Sequence, residues 1–430
     1  MNAILVFALL IALMAIGMPI AVAMGLTAVI GFVTLADAST LNIMAQRIYA
    51  STTSFPLLAI PFFILAGNLM NTGGMTKRIF KVALALVGHI RGGLGHVCVV
   101  GAMIFAGMSG SALADAMGLG AIQVKAMNER GYGRAFAAAV SGAAATMGPV
   151  IPPSVPLVIF GSMTGVSIGS LFLGGALPGI LMGISMMVVV AITARRRGYP
   201  SEKRATFKEI VRALADGIAA VVTPAIIMGG ILGGFFTPTE ASVVACLYAL
   251  LLGKFVYREF KFSDLPKVLL ETAAATAQVM WIVAAAGLFG WLLIFLHVPD
   301  ALINALTSLS NNRWVVLVII NMILLAMGCF MEGIAVMLMT IPVFYPVVTR
   351  LGIDPVHFGV MMTLNLMIGL LTPPVGMVLY AMSSIAKVSI IELTKELIPF
   401  MVAIGVVLIL TTFVPGVVTW LPHLVMGGPT

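Results

Sequence analysis

The run Gly107-Met108-Ser109-Gly110-Ser111-Ala112 lies between two apolar segments that are each short for a membrane crossing. The preceding segment, 92–107, would form a helix of roughly 24 Å, whereas the hydrocarbon core of a bilayer is about 30 Å thick. We therefore expect the chain to turn back inside the membrane at this run. Non-helical backbone at that depth is tolerated only where protein or a water-filled cavity satisfies it. Glycine and serine here thus predict the tip of a re-entrant helical hairpin and an ion or ligand site.

The composition of the whole chain is that of a membrane protein. Its 430 residues are 61% hydrophobic and only 9% charged, and its mean hydropathy of +1.15 lies far above that of soluble globular domains. The start, Met1-Asn2-Ala3-Ile4-Leu5, has no basic residue and continues into an apolar run without a clear cleavage site. We expect a retained membrane segment and no signal peptide. The sequence therefore predicts an all-α polytopic membrane protein.

The net charge of +8 indicates orientation in a bilayer and not nucleic-acid binding. The basic residues lie in connectors between apolar segments and form no patch interleaved with aromatic residues. Cys98, Cys246 and Cys329 lie within apolar segments at unrelated spacings, which predicts free thiols and neither disulfides nor a metal site. We expect the lipid bilayer as the environment and no nucleic-acid partner.

An internal repeat appears when the chain is compared with itself. The Pro152-Pro153 pair has a counterpart in Pro373-Pro374, at an offset of 373 − 152 = 221 residues. The same offset takes Gly107 to Gly328 and Gly148 to Gly369. Each hairpin tip is also followed by a proline break 45 residues later (152 − 107 and 373 − 328). We therefore expect a second hairpin and a second broken helix in the C-terminal half.

The repeat divides the chain into two halves and a linker. Each half is expected to contain flanking helices, a re-entrant hairpin and a helix broken at its proline pair. The predicted bounds are 1–194 for repeat 1, with hairpin 92–128 and broken helix 133–164; 195–214 for a basic linker; and 215–430 for repeat 2, with hairpin 313–349 and broken helix 355–386.

Charge asymmetry predicts that the two repeats are inverted. The linker 195–214 is rich in arginine and lysine and should be cytoplasmic. The arm at 75–91 is basic, whereas its counterpart 296–312 contains no Lys or Arg, and the basic connector 254–267 matches a stretch at 33–46 with no Lys or Arg. This alternation predicts about ten crossings plus two hairpins, with both termini periplasmic. The tail 421–430, which contains no Asp, Glu, Lys or Arg, is compatible with that orientation.

The tips and breaks supply oxygen ligands for a small cation. Unwound helices expose carbonyl groups, and hard oxygen donors without His or Cys clusters favour Na⁺ over a transition metal. We expect Na⁺ as the coupling ion and no other cofactor. The candidate Na⁺ ligands are Gly107, Ser109, Asp115, Thr146, Gly148 and Ile151 in the first half and Gly328, Glu332, Gly369 and Thr372 in the second.

Three side chains are candidates for the substrate site. Ser111 and Glu332 are related by the repeat (111 + 221 = 332) and should approach one central site from opposite hairpins. Ser154 follows a proline pair and can cap the second half-helix, whose positive end would face an anionic substrate. Glu332 can act through a bound cation or water, or can hold the tip together by accepting backbone N–H groups. Asp115 can bind an ion, or can bond to backbone or to Lys125.

No catalytic motif accompanies these residues. Gly107-x-Ser109-x-Ser111 is not the strand-to-helix nucleophile elbow, and the sequence has no His-Glu-x-x-His zinc motif. We expect a transporter and not an enzyme.

With these residues assembled, the chain resembles the large membrane subunit of tripartite ATP-independent periplasmic (TRAP) transporters. The resemblance covers essentially the whole chain and is most specific in four pieces: 107–112 with Asp115, 148–154, 237–241 and 369–376. It implies a Na⁺-driven elevator transporter of organic acids, such as dicarboxylates or sialic acid, in the bacterial inner membrane. It also implies two partners, namely a small four-helix membrane subunit, here a separate chain, and a soluble periplasmic substrate-binding protein.

Two alternatives stay open at this point. A self-sufficient Na⁺/carboxylate symporter with a similar hairpin fold would need neither partner. A channel would need a continuous polar or charged pore lining, which this sequence lacks. The sequence does not identify the substrate.

Overall fold

The computed structural model describes residues 3–35, 40–310 and 312–427, and within these ranges all regular structure is helical. The helices of the first half are α1 Ala3–Ala15, α2 Ile20–Leu35, α3 Thr40–Thr52, α4 Ala59–Thr72, α5 Met75–Val87, α6 Gly93–Ser109, α7 Ala112–Asp115, α8 Ala121–Glu129, α9 Arg134–Ala145, α10 Val155–Thr164 and α11 Ile168–Arg197.

The helices of the second half begin after a connector at 198–206. They are α12 Phe207–Leu232, α13 Pro238–Leu251, α14 Leu265–Phe295, α15 Val298–Leu309, α16 Arg313–Gly328, α17 Gly333–Arg350, α18 Pro355–Gly369, α19 Met377–Ala386, α20 Ile390–Phe413 and α21 Gly416–Met426. Capping boxes start α12 at Thr206 and α13 at Thr237, where Glu209 and Glu240 complete them.

Helix boundaries recur at the offset of 221 residues. Adding 221 to the bounds of α6 gives 314–330, close to α16, and adding it to those of α10 gives 376–385, close to α19. The predicted tips at 107–112 and 328–333 fall at or beside the ends of α6 and α16, and the predicted breaks separate α9 from α10 and α18 from α19. The inverted orientation of the halves and their domain bounds stay predictions.

The two halves interlock in one packed body. We call α6–α11 and α16–α21 the hairpin group and α1–α4 with α12–α14 the flanking group. Within the hairpin group, α9 packs against α19 and α20, and α11 packs against α20 and α21. The flanking helix α14 packs against α2, α3 and α4 and also against α17 of the hairpin group.

Helix α5 joins the two groups and is anchored at its start. Arg78 donates to Glu259 Oε1 at 2.7 Å, and its guanidinium carbon lies 3.8 Å from the ring centre of Tyr257. The hydrogen bond from Arg78 is the main cause of a lowered pKa at Glu259, which lies in the connector between α13 and α14. These contacts fix the start of α5, the helix that precedes the first hairpin.

Seven helical segments among the described residues are long and apolar enough to cross a bilayer. Those of the first half are Phe55–Thr72 and Ile168–Arg197. Helices α1 and α2 are apolar but shorter, at 13 and 16 residues. Residues 36–39 of the stretch 33–46 and residues 428–430 of the tail, on which the orientation prediction also drew, lie outside the described residues. The number of crossings stays a prediction.

One local feature has no counterpart in the sequence prediction. Residues Ala116–Gly120 form a π-helical segment between α7 and α8, so that 112–129 is one continuous helix with a wider turn. The matching part of α17 is regular α-helix. A π-turn inside a helix is often found at a functional site, and this one begins immediately after Asp115.

Candidate functional site

A cavity of about 490 Å³ lies where the two hairpin tips meet. The structure thus brings together the two regions that the repeat relates at an offset of 221 residues. The tips and breaks line it with Ser109–Ala112, Glu332–Ile334, Pro149, Val155, Leu370 and Met377.

Ser111 and Glu332 occupy equivalent places at the two tips. Ala114 N donates to Ser111 Oγ at 3.5 Å, and Ala335 N donates to Glu332 Oε2 at 3.1 Å. Each side chain therefore caps the returning arm of its hairpin. Glu332 does hold its tip together, but its Oε1 has no hydrogen-bond partner among the described residues, so the residue retains a free acceptor at the cavity wall.

Ser154 caps its helix but does not line the cavity. Its side chain is fully buried, its hydroxyl donates to Pro149 O, and it accepts from Leu157 N at 3.2 Å. The predicted N-cap is present. Ser154 therefore lies behind the cavity wall, where the cap and the bond to Pro149 hold its hydroxyl. In this arrangement, it does not contact a substrate in the cavity directly.

Asp115 is the least satisfied polar group near the cavity. It is only 2% exposed, and neither carboxylate oxygen forms a hydrogen bond with a described residue, including Lys125. A Cβ placed on Gly148 would clash with Asp115 Oδ2, so the first break presses directly against this carboxylate. Leaving a buried carboxylate without a partner is costly, which makes this spot suitable for a bound cation.

The remaining first-half candidates lie at the end of α6 and at the first break, each with contacts of its own. Ser109 is 4% exposed, and its Oγ accepts from Ser111 N at 3.4 Å. Thr146 Oγ1 donates to Ala143 O at 2.6 Å, and Ile151 N donates to Met147 O at 2.9 Å. Gly107 packs against another element, since a Cβ there would lie 2.5 Å from Pro224 Cγ of α12.

In the second half, the tip and the break are in direct backbone contact. A Cβ placed on Gly369 would lie 2.6 Å from the carbonyl carbon of Gly328. Val375 N donates to Cys329 O at 3.1 Å, and Thr372 Oγ1 donates to Ile368 O at 2.7 Å. Gly328, Gly369 and Thr372 are therefore neighbours as predicted, but no carboxylate corresponds to Asp115 because position 336 is Val.

Four helix N-termini line the cavity. The first residues of four helical segments line it: Ala112, Val155, Gly333 and Met377. The described lining residues include Glu271 and Glu332 but no Lys, Arg or His. The ends of α6, α9, α16 and α18 point their carbonyl groups toward the tips and breaks. The arrangement thus offers positive dipole ends to an anion and carbonyl oxygens to cations.

The flanking group contributes polar residues that the sequence interpretation missed. Asn68 and Asn71 of α4 and Glu271 and Gln278 of α14 line the cavity. Asn68 Nδ2 donates to Thr272 Oγ1 at 3.0 Å, which ties α4 to α14 beside it. Amides within an otherwise apolar crossing are the signal that could have indicated them.

The described residues contain no cluster of metal-binding side chains. No group of three or more His, Cys, Asp or Glu residues there could hold a metal ion. The first-half candidates offer carboxylate, hydroxyl and backbone oxygens, which suit a hard cation.

Comparison with known proteins relates this geometry to a family. The model of the family described as "Tripartite ATP-independent periplasmic transporter, DctM component" matches residues 7–417. The large permease protein SiaM of a sialic acid TRAP transporter from Vibrio cholerae is 43% identical over 411 residues, which cover 96% of each chain. The chain belongs to the DctM family of TRAP transporters. The DctM large permease of a C4-dicarboxylate TRAP transporter from the same organism is 37% identical over 443 residues, covering 98% of each chain.

Solved structures support the fold assigned to this DctM family member. The YdaH transporter of Alcanivorax borkumensis matches with a TM-score of 0.62 at 14% identity, covering 91% of this chain and 90% of that one. MtrF of Neisseria gonorrhoeae matches with a TM-score of 0.64 at 13% identity, covering 88% and 85%. The chain is a multi-pass inner membrane protein and a permease for solute uptake, and it is not an enzyme.

Proposed function

We propose that this permease imports an organic acid together with Na⁺. The observation that carries the proposal is the cavity onto which four helix N-termini converge without a single lining Lys or Arg among the described residues. Helix N-termini favour a carboxylate, and bound cations would offset the charges of Glu271 and Glu332. Relatives named for sialic acid and C4-dicarboxylates make a carboxylate the first substrate class to test.

Two cation sites are part of the proposal. In the first, Asp115, Ser109, Gly107, Thr146 and carbonyl groups of the 148–151 break would bind one Na⁺. In the second, Gly328, Gly369 and Thr372 would bind another, with Glu332 nearby at the tip. Both sites lie at the C-terminal ends of helices, so binding of Na⁺ would position the tips and breaks around the substrate.

The partners follow from the family. A component of a tripartite system is expected to work with a small four-helix membrane subunit and a periplasmic protein that delivers the substrate. We propose that the hairpin group moves against the flanking group in an elevator motion, with the linker cytoplasmic and both termini periplasmic. The self-sufficient symporter stays the alternative.

Uptake into liposomes tests the substrate class and the alternative together. The permease would be reconstituted with its small subunit and supplied with a labelled C4-dicarboxylate, sialic acid or isethionate, each with and without the cognate binding protein. We expect uptake of one carboxylate, and only with the binding protein. Equal uptake without the binding protein would favour the self-sufficient symporter, and preference for isethionate would exclude a carboxylate substrate.

A further inference from the structure

A second cavity lies away from the site described above, at the membrane boundary. This groove of about 960 Å³ is formed by one face of α5, the connector 202–205 and the first turns of α12. It lies between two candidate spans, Ile168–Arg197 and Phe207–Leu232, and therefore at the depth of lipid headgroups.

The groove carries an excess of unpaired positive charge. Of its three acidic residues, Glu202 pairs with Arg130, and Asp216 pairs with Arg78 at 3.3 Å and with Lys81 at 3.9 Å. Glu209 accepts from the backbone N and hydroxyl of Thr206 at 2.7 and 2.8 Å and keeps its negative charge. Lys203, Arg204 and Arg212 also line the groove. None of these three forms an ion pair with a residue that the structure describes.

The wall that carries Lys203 and Arg204 is held in place by its neighbours. Glu202 N donates to Gly88 O at 3.0 Å, and Gly92 N donates to Pro200 O at 3.2 Å. Tyr132 Oη donates to the same Pro200 O at 3.1 Å, and its ring stacks on Tyr199 with 4.5 Å between ring centres. The connector is thus fixed to both ends of the short α5–α6 loop, so the backbone that carries Lys203 and Arg204 has a defined position.

An apolar stripe lies on a different face of α12 from the residues that line the groove. Phe207, Val211, Ile218 and Val222 lie on one face of α12, and all are exposed, with Phe207 82% exposed. The exposed stripe places the start of α12 against lipid, so a phospholipid bound in the groove would place its phosphate among the cations and its acyl chains in the adjacent bilayer, whereas a soluble phosphate would use only the cations. Clusters of Lys and Arg between helices at the membrane boundary are suited to anionic headgroups.

We propose that this groove binds the phosphate headgroup of an anionic phospholipid. The bound lipid bridges α5 and α12, which already pack against each other. It stabilises the folded permease because it neutralises cations that otherwise repel one another.

Thermal unfolding of the purified full-length permease in detergent tests the proposal. The probes are phosphatidylglycerol, the zwitterionic phosphatidylcholine and soluble glycerol 3-phosphate. We expect phosphatidylglycerol to raise the unfolding midpoint in the wild type, and the other two to have little effect. In the triple variant Lys203→Gln/Arg204→Gln/Arg212→Gln, we expect the apparent affinity for phosphatidylglycerol to fall at least about tenfold.

A matched control removes the same charge elsewhere. Arg134, Arg350 and Lys395 are exposed, lie outside the groove and form no ion pair with described residues. Their triple Gln variant should respond to phosphatidylglycerol as the wild type does. If the groove triple variant does not fold, Arg212→Gln and the charge-conserving Arg212→Lys replace it, and only the first should weaken binding.

Two results would overturn the proposal. One is an unchanged response to phosphatidylglycerol in the groove variants. The other is equal stabilisation by glycerol 3-phosphate, which would make the groove a site for soluble anions.

Discussion

Asp115 is the residue whose environment most directly indicates cation binding. Its carboxylate is buried, has no hydrogen-bond partner among described residues and touches the first helix break at Gly148. For Asp115→Asn, we expect the Na⁺ concentration for half-maximal uptake to rise about tenfold or more, equivalent to about 1.4 kcal/mol of binding free energy. The exposed Asp300→Asn serves as the charge control and should be neutral. Unchanged Na⁺ dependence in Asp115→Asn would remove this residue from the cation site.

Glu332 combines a structural contact with a free oxygen. Gln at this position can still accept the hydrogen bond from Ala335 N, so Glu332→Gln removes the charge and keeps the cap. We expect the Na⁺ dependence of uptake to weaken while the unfolding midpoint stays close to that of the wild type. Glu240→Gln is the matched control, because Glu240 also accepts from a backbone N–H, that of Thr237, but lies outside the cavity. If Glu332→Gln transports like wild type, the residue only holds the tip together.

At the level of elements, the contact between α16 and α18 tests how closely the second tip and break must approach. A methyl group on Gly369 would meet the backbone of Gly328, which cannot move aside easily. We expect Gly369→Ala to lower the free energy of unfolding by about 1–3 kcal/mol, as overpacking does, and to weaken Na⁺-dependent stabilisation. Gly405→Ala, within α20 at a position where an added Cβ meets open space, should not destabilise the protein. Equal effects of the two substitutions on the unfolding midpoint would contradict the close-contact account.

The hairpin tips and helix breaks could be predicted because local chemistry determines them. Helices too short to cross, ended by glycine or proline pairs, leave few alternatives for the backbone in a membrane. The π-segment at 116–120 could not be predicted in this way. It packs against distant elements, since Gly118 faces Asn71 and Gly120 faces Met382.

Side-chain placement was less predictable than backbone placement. The N-cap role of Ser154 followed from its position after a proline pair, but its distance from the cavity depends on the bond to Pro149 O. Asn68, Asn71 and Gln278 reach the cavity only because α4 and α14 pack beside the tips. A sequence offers no direct signal for such contacts between distant segments.

At the scale of the whole molecule, the orientation prediction can be tested with two fusions. A reporter that is active only in the periplasm should be active when fused after Thr430 and silent when fused at Tyr199, because the basic linker is expected to be cytoplasmic. Activity only at Tyr199 would reverse the orientation. Activity at both positions would place the termini and the linker on the same side, which inverted repeats exclude.

The central claim is that two cation sites drive uptake through one cavity. The most direct test measures initial uptake of the substrate into liposomes, with the partners present, as the external Na⁺ concentration is varied. The account predicts that uptake depends on a Na⁺ gradient, with a Hill coefficient above one. Full uptake driven by an imposed proton gradient in Na⁺-free buffer would contradict it.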